Sequence, residues 1–288
     1  MAGVSTPELA AAVSNAGCLG ALGLGASTRE SAAKQVSAFR ALSEEPLHLN
    51  FFCHSEPERN SAIETTWISR FSSEFAALNA TPPHSLKSPY TSAKDDPQLI
   101  DFAIEYRPEL ISFHFGLPNK EILNALTKLD IPIITSVTNL DDAALSLNAG
   151  VDGLIAQGIE AGGHRGTFDP CSDYDFSVNA LTTLALVERL RPLTSLPIVA
   201  AGGIMNGVDA ARVLGAGADA VQLGSAFLLC PESGANADYR DQIHTASGSS
   251  TVVTRAISGR AARGIDNKLT AIGDKANKAE IPPYPITY

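Results

Sequence analysis

No apolar run in the chain comes near the roughly 18 residues that a membrane span needs. The opening MAGVSTPELA also lacks both a basic stretch and a continuous apolar one, so neither a membrane partner nor a secretory leader is expected. Basic residues are few: 21 Lys and Arg against 31 Asp and Glu give a net charge of −10, with no cluster to track a phosphate backbone. Nucleic acid is thereby excluded as a partner, and a small molecule is the expected ligand. If that ligand is anionic, long-range steering works against it, and attraction must come from groups in the site. Only four cysteines occur, Cys18, Cys53, Cys171 and Cys230, and no two form a C-x-x-C pair. Structural zinc or another metal is not expected, and reduced thiols suit a cytoplasmic protein. Neither a G-x-G-x-x-G pattern nor a Walker loop is present.

What is present is a large apolar fraction, 44% of 288 residues, enough for one barrel-sized domain spanning residues 1–288. Thr6, Pro7 and Glu8 start a short helix that Gly17 stops, and a second helix is expected from about Thr28 to Ala41. Strands are expected over Leu47–Phe52, Leu110–Phe115 and Ile131–Val137, with helices over Pro57–Ala80, Pro97–Tyr106 and Pro118–Lys128. Residues 81–96, flanked and interrupted by prolines, read as an inserted loop or lid.

An internal repeat sets the fold class. PIITSVTNLDDAALSLNAGVDGLIAQG from Pro132 and PIVAAGGIMNGVDAARVLGAGADAVQLG from Pro197 share one template, matching at Asp142/Asp209, Gly150/Gly217 and Asp152/Asp219. The second copy is longer by two residues in the strand-to-helix loop that holds Gly202 and Gly203. Each copy is a βαβ unit, and repeated units of this kind imply a parallel α/β sheet. An open doubly wound sheet would carry them, but a (β/α)₈ barrel fits near-identical units better. Strand–helix units counted from Cys18 to Ser225 number seven rather than eight, which makes the first strand of the barrel the expected missing one, ahead of Met1.

The stretch VDGLIAQGIEAGGHRG, Val151–Gly166, begins as a buried strand that ends at Gln157 and becomes a Gly-rich turn. Its only side chains suited to acid–base or electrostatic work are Glu160, His164 and Arg165, and its missing Cβ atoms let backbone N–H groups approach a ligand. His164 titrates near neutrality when unperturbed. Taken alone, the stretch is equally a tight turn with a solvated histidine. Gly202-Gly203 and Gly224-Ser225 follow adjacent strands at the corner where barrels bind phosphate, with Ala226–Leu229 expected to form a short helix. Asn50 and Gln157 are polar residues at or near strand carboxyl ends; Asn50 is open to a simple capping role. His54 and His114 also lie near strand ends, and Phe113 and Phe115 make His114 read as a packed strand residue.

TPELAAAVSNAGCLGALG, LNFFCH, ISFHFGLP, QGIEAGGHRG, PIVAAGGI, AVQLGSAFL and SGRAARG, in this order, resemble the nitronate monooxygenases, FMN-dependent TIM-barrel enzymes. The EAGGH and AAGGI/QLGS elements are shared with FMN-dependent enoyl-ACP reductases, whereas SFHFGLP and SGRAARG are narrower. The resemblance implies flavin contacts from Asn50, Gln157 and Gly162, and ribityl-phosphate contacts from the Gly202-Gly203 turn and from Gln222, Leu223, Gly224 and Ser225, with Ser225 where the family usually has Thr. It makes His164 the catalytic histidine. The implied activity is oxidation of alkyl nitronates by molecular oxygen to a carbonyl compound and nitrite, in nitroalkane detoxification. The family pattern also has an A-P-M-x-G strand at the start, of which Met1 and Gly3 remain, and a helical segment beyond Tyr288. Two alternatives stand beside the monooxygenase: an FMN-dependent NAD(P)H reductase of the quinone or enoyl-ACP type, which would use the same barrel and the same EAGGH loop, and a truncated, non-catalytic flavin-binding barrel, which the expected lack of both end segments suggests.

Overall fold

The computed structural model describes residues 1–245 and 250–287. Its frame is a curled parallel sheet of seven strands: β1 (Gly20–Gly23), β2 (Leu47–Phe52), β3 (Leu110–His114), β4 (Ile133–Val137), β5 (Gly153–Gln157), and, after a two-residue strand β6 (Gly163–His164) that belongs elsewhere, β7 (Ile198–Ala201) and β8 (Ala220–Gln222). They pair in the order β1-β2-β3-β4-β5-β7-β8, so chain order and spatial order coincide, as in a half-barrel. The register pairs Leu22 with Leu49, Asn50 with Ser112, and Gln157 with Ala201, bringing the carboxyl ends of all strands to one rim. The α/β barrel class expected from the repeats and the seven strands counted between Cys18 and Ser225 are those observed.

The repeated acids explain why both βαβ units close alike. Asp152 accepts from the backbone N–H of Ile133 at 2.8 Å, and Asp219 accepts from that of Ile198, also at 2.8 Å. Each carboxylate thus ties the start of one strand to the start of the next. The intervening helices Leu140–Ala149 and Gly207–Gly215 begin at Asn139 and Asn206, whose side chains accept from the N–H groups of Asp142 and Asp209. The core lies between the sheet and its outer helices. Ile111, Phe113, Ile133, Leu154 and Ile198 pack with Leu126 and Leu186, while Leu22, Leu47 and Leu49 of the first two strands pack with Val36 and Phe39 of helix Arg29–Leu42. Burying side chains of this kind is worth about 1.5–3 kcal/mol each.

Two departures from the sequence expectation have local causes. The single helix expected over Pro57–Ala80 is two, Ser61–Ser69 and Ser72–Ala77; the first starts only where Asn60 caps it, and the break falls where the Trp67 and Phe71 rings meet edge to face at 5.3 Å. The short helix expected over Ala226–Leu229 is a 3₁₀ turn at Ser225–Phe227. Residues 81–96 hold no helix or strand. They are tied down at Ala93, whose N–H donates to the Phe52 carbonyl at 2.8 Å, and at Ser92, whose hydroxyl donates to that of His54 at 2.6 Å.

A second, antiparallel sheet lies over the rim. β6 pairs with β10 (Ala262–Ile265), and β10 pairs with β9 (Thr251–Thr254), so a segment about one hundred residues further along covers the Gly-rich turn after β5. Among the described residues no helix is long and apolar enough to cross a membrane.

Candidate active site

β5 delivers Gln157 to the rim, and the chain then folds back on itself so that Gln157 braces its own loop. The amide Nε2 donates to the His164 carbonyl at 3.0 Å, while Oε1 accepts from the Gly166 N–H at 2.8 Å. Arg165 is spent in the same way: Nε donates to Asp175 Oδ1 at 3.0 Å, Nη2 to the Gln157 carbonyl at 2.9 Å, and Nη1 to the Gly158 carbonyl. Of the three side chains suited to chemistry, Arg165 is therefore structural. Glu160 accepts from the Thr183 N–H at 2.9 Å and lies against Gly203.

His164 remains. Its Nε2 is 2.6 Å from Ser258 Oγ, and its ring is walled by Phe115 and Tyr284, with centroids 5.7 and 5.5 Å away and near-perpendicular planes. Burial, with the nearby Arg260 cation as a lesser cause, pushes the imidazole down from 6.5 to about 4. The ring is neutral at physiological pH. His114, whose Nε2 approaches the His164 carbonyl at 3.3 Å, is lowered further, to about 3, mainly by burial. His54 is buried, and burial with Arg260 and Lys94 lowers it to about 4.

The other residues singled out from sequence sit on the same rim. Asn50 donates to Ser112 Oγ at 2.8 Å, and that hydroxyl also meets His48 Nε2 at 2.6 Å. Gly162 and Ser225 abut closely: a Cβ on Gly162 would come within 2.7 Å of Ser225 Oγ. Gly203 has φ +66°, a left-handed conformation that favours glycine, and Gly224 has open space apart from the Met1 sulfur at 3.6 Å. The backbone N–H groups of Gly162, Gly203 and Gly224 find no acceptor among the described residues. Gly202 and Leu223 flank this set, and Gln222 is exposed at the end of β8.

Sequence reasoning missed the cover. SGRAARG lies across the Gly-rich loop, with Ser258 on the His164 ring, Arg260 donating to the Thr167 and Phe168 carbonyls, Ala261 accepting from the Arg165 N–H, and Arg263 donating to the Ile159 carbonyl. Tyr284, from the Pro-rich end, packs on His164 and Phe115. The signals available were the SGRAARG element of the resemblance, which carried no position, and composition: Arg255, Arg260 and Arg263 crowd together in an acidic chain.

These four lowered imidazoles, His48 included at about 4, make an acid-stability prediction. Between pH 6.5 and 4 the unfolded chain binds protons at these positions that the folded chain does not, so stability falls as pH drops through that window. Asp142 acts oppositely, since burial raises it to about 6, and offsets part of one imidazole. The melting temperature should drop steeply from pH 6.5 to 4, with net proton uptake on unfolding. A flat profile over that window would show that the imidazoles are not held neutral.

Comparisons with known proteins agree with this arrangement. A family model described as "NMO: Nitronate monooxygenase" matches residues 1–286. The chain is 45% identical to a nitronate monooxygenase of Paraburkholderia phytofirmans over its whole length and 78% of the relative's, and 43% identical to one of Pseudomonas aeruginosa, of which it covers 81%. Among solved structures it resembles a nitroalkane oxidase from Streptomyces ansochromogenes, with TM-score 0.85 and 33% identity over 99% of this chain and 79% of that one. It also resembles FabK from Thermotoga maritima, with TM-score 0.69 and 28% identity over 94% and 70% of the two chains.

Proposed function

The chain belongs to the nitronate monooxygenase family of flavin-type oxidoreductases, and from that premise we propose that it binds FMN and oxidises alkyl nitronates with molecular oxygen to a carbonyl compound and nitrite. The observation that carries the reading is His164: a half-buried, neutral imidazole held by Ser258, at the strand rim beside the glycine turns. FMN is supported by unspent backbone N–H groups at Gly162, Gly203 and Gly224, with Ser225 beside Gly162, which suit the oxygens of a ribityl phosphate. Asn50 is within the same rim to meet the ring system; Gln157 acts by fixing the loop that presents Gly162 and His164.

Bound FMN supplies the electron-transfer chemistry. The chain's own residues orient the substrate and handle a proton. Of the two jobs open to His164, general base or cationic clamp, burial favours the first, because the ring is neutral. An imidazole lowered this far is also a weak base toward a carbon acid as reluctant as a nitroalkane. A substrate already deprotonated, the nitronate, suits such a site better.

The visible spectrum of the purified protein, with and without propionate 3-nitronate, tests the proposal: bleaching under anaerobic conditions and nitrite formation in air are expected. The resemblance to FabK keeps an NAD(P)H-dependent reductase as the second reading. Rapid anaerobic bleaching by NADH, with none by the nitronate, would favour it.

Flavin retention has its own test. Gly224→Val should empty the protein of FMN without unfolding it, because a Cβ there meets only the Met1 side chain, at ordinary contact distance, while the added side chain fills the space above the turn. Gly203→Val should release FMN and also lower the melting temperature, since φ +66° strains any side chain there. Full occupancy in Gly224→Val, or FAD as the extracted cofactor, would refute the assignment.

A further inference from the structure

Two guanidinium groups are buried around the Gly-rich loop, and they are treated differently. Arg165 is paired with Asp175. Arg260, only 3% exposed, makes no ion pair with a carboxylate among the described residues, and the charges of Asp142, Asp169 and Asp175 reach it only from beyond ion-pair distance: it donates to the Thr167 and Phe168 carbonyls, and its Nε has no acceptor. A buried cation is ordinarily paired or held by an anion. Arg260 instead stacks 4.4 Å over the Phe115 ring and lies 5.8 Å from that of Tyr284, the two rings that wall the His164 imidazole. His54, 2% exposed and edge-on to Tyr284 at 5.0 Å, adds a second buried nitrogen, Nδ1, without a partner. The cation is thus separated from the His164 site only by low-dielectric aromatic walls, where charge acts more strongly than in water. In a chain of net charge −10 it is also the local attraction that an anionic ligand would require.

We propose that Arg260 is a specificity-determining residue: its unpaired buried charge makes the His164 site prefer an anionic nitronate over the neutral nitroalkane with the same carbon skeleton. This rests on the function proposed above. A purely structural Arg260, clipping the turn at residues 167–168, would leave the preference untouched.

The test compares kcat/KM for ethylnitronate and nitroethane in the flavin-loaded wild type, Arg260→Gln and Arg260→Lys, because the ratio within one variant cancels any loss of folded protein. The ratio should fall about 10- to 100-fold in Arg260→Gln, the range over which a focused local charge changes substrate capture. It should stay within about threefold of wild type in Arg260→Lys, which keeps the charge but loses the planar fork. Calorimetric titration with nitrate, a planar oxyanion that is not oxidised, should show affinity weakened about tenfold in Arg260→Gln alone. Unchanged ratios, or equal losses with Lys and Gln, would overturn the proposal. If Arg260→Gln does not fold, the wild type decides: nitrate must bind at least about tenfold tighter than acetone, planar and neutral, and equal binding rejects the idea. Should the wild type oxidise neither substrate, the proposed reaction fails, while the nitrate titrations still judge Arg260.

Discussion

His164→Asn is expected to lower turnover of a neutral nitroalkane by roughly 10²–10⁴-fold, the usual worth of a positioned acid–base group, while oxidation of the matching nitronate falls far less. The nitronate has already lost the proton that His164 would take, so only one polar contact disappears. Flavin occupancy should stay intact, because the proposed phosphate contacts come from the turns after β7 and β8 and from the backbone of Gly162, and the substitution changes only the side chain of His164. The wild-type rate on nitroalkane should be flat at neutral pH and fall as pH drops through the imidazole's value of about 4, where the ring protonates and ceases to accept. Equal losses on both substrates with flavin bound would make His164 a positioning residue. No loss on either would leave it a packed side chain between Phe115 and Tyr284.

What could be read in the chain beforehand follows from the range of the interactions involved. Leu47–Phe52 was legible to the residue as the strand-like stretch LHLNFF, and it is β2. The βαβ repeat was legible because Asp142/Asp209, Gly150/Gly217, Asp152/Asp219 and their spacing are local to each unit, and the same carboxylate-to-amide tie recurs in both. The rim residues were legible as polar or glycine positions at the ends of such strands. The cover was not. β6 is two residues long, and its pairing with β10 joins Gly163 to Arg263; the contact between His164 and Ser258 spans 94 positions. No local periodicity encodes such pairings. Gln157 exposes a different limit: composition marks it as a polar strand end, but not that both ends of its amide are committed to its own loop.

The loop that carries His164 depends on a buried ion pair, and breaking that pair is the second large effect expected. Arg165 and Asp175 side chains are 1% and 2% exposed, and Asp175 accepts from both Arg165 Nε and Thr167 Oγ1. Burial, with the Arg263 cation as a lesser cause, lowers the Arg165 guanidinium, and the Asp175 charge and hydrogen bond work to raise it again. Asp175→Ala leaves the cation buried with carbonyls only, a situation that typically costs about 3–5 kcal/mol. Urea unfolding followed by circular dichroism should show that loss, with flavin released early as the Gly158–Gly166 turn loosens. Arg165→Met combined with Asp175→Leu should recover much of the stability, because it removes both charges and keeps the volume. It should not recover turnover, since Arg165 also holds the Gln157 and Gly158 carbonyls that set the path of the chain toward His164. A cost for Asp175→Ala below about 1 kcal/mol, in the range of an exposed pair, would mean that this ion pair does not hold the loop. The β10 cover through Ala261 and Ser258 would then be what keeps His164 in place.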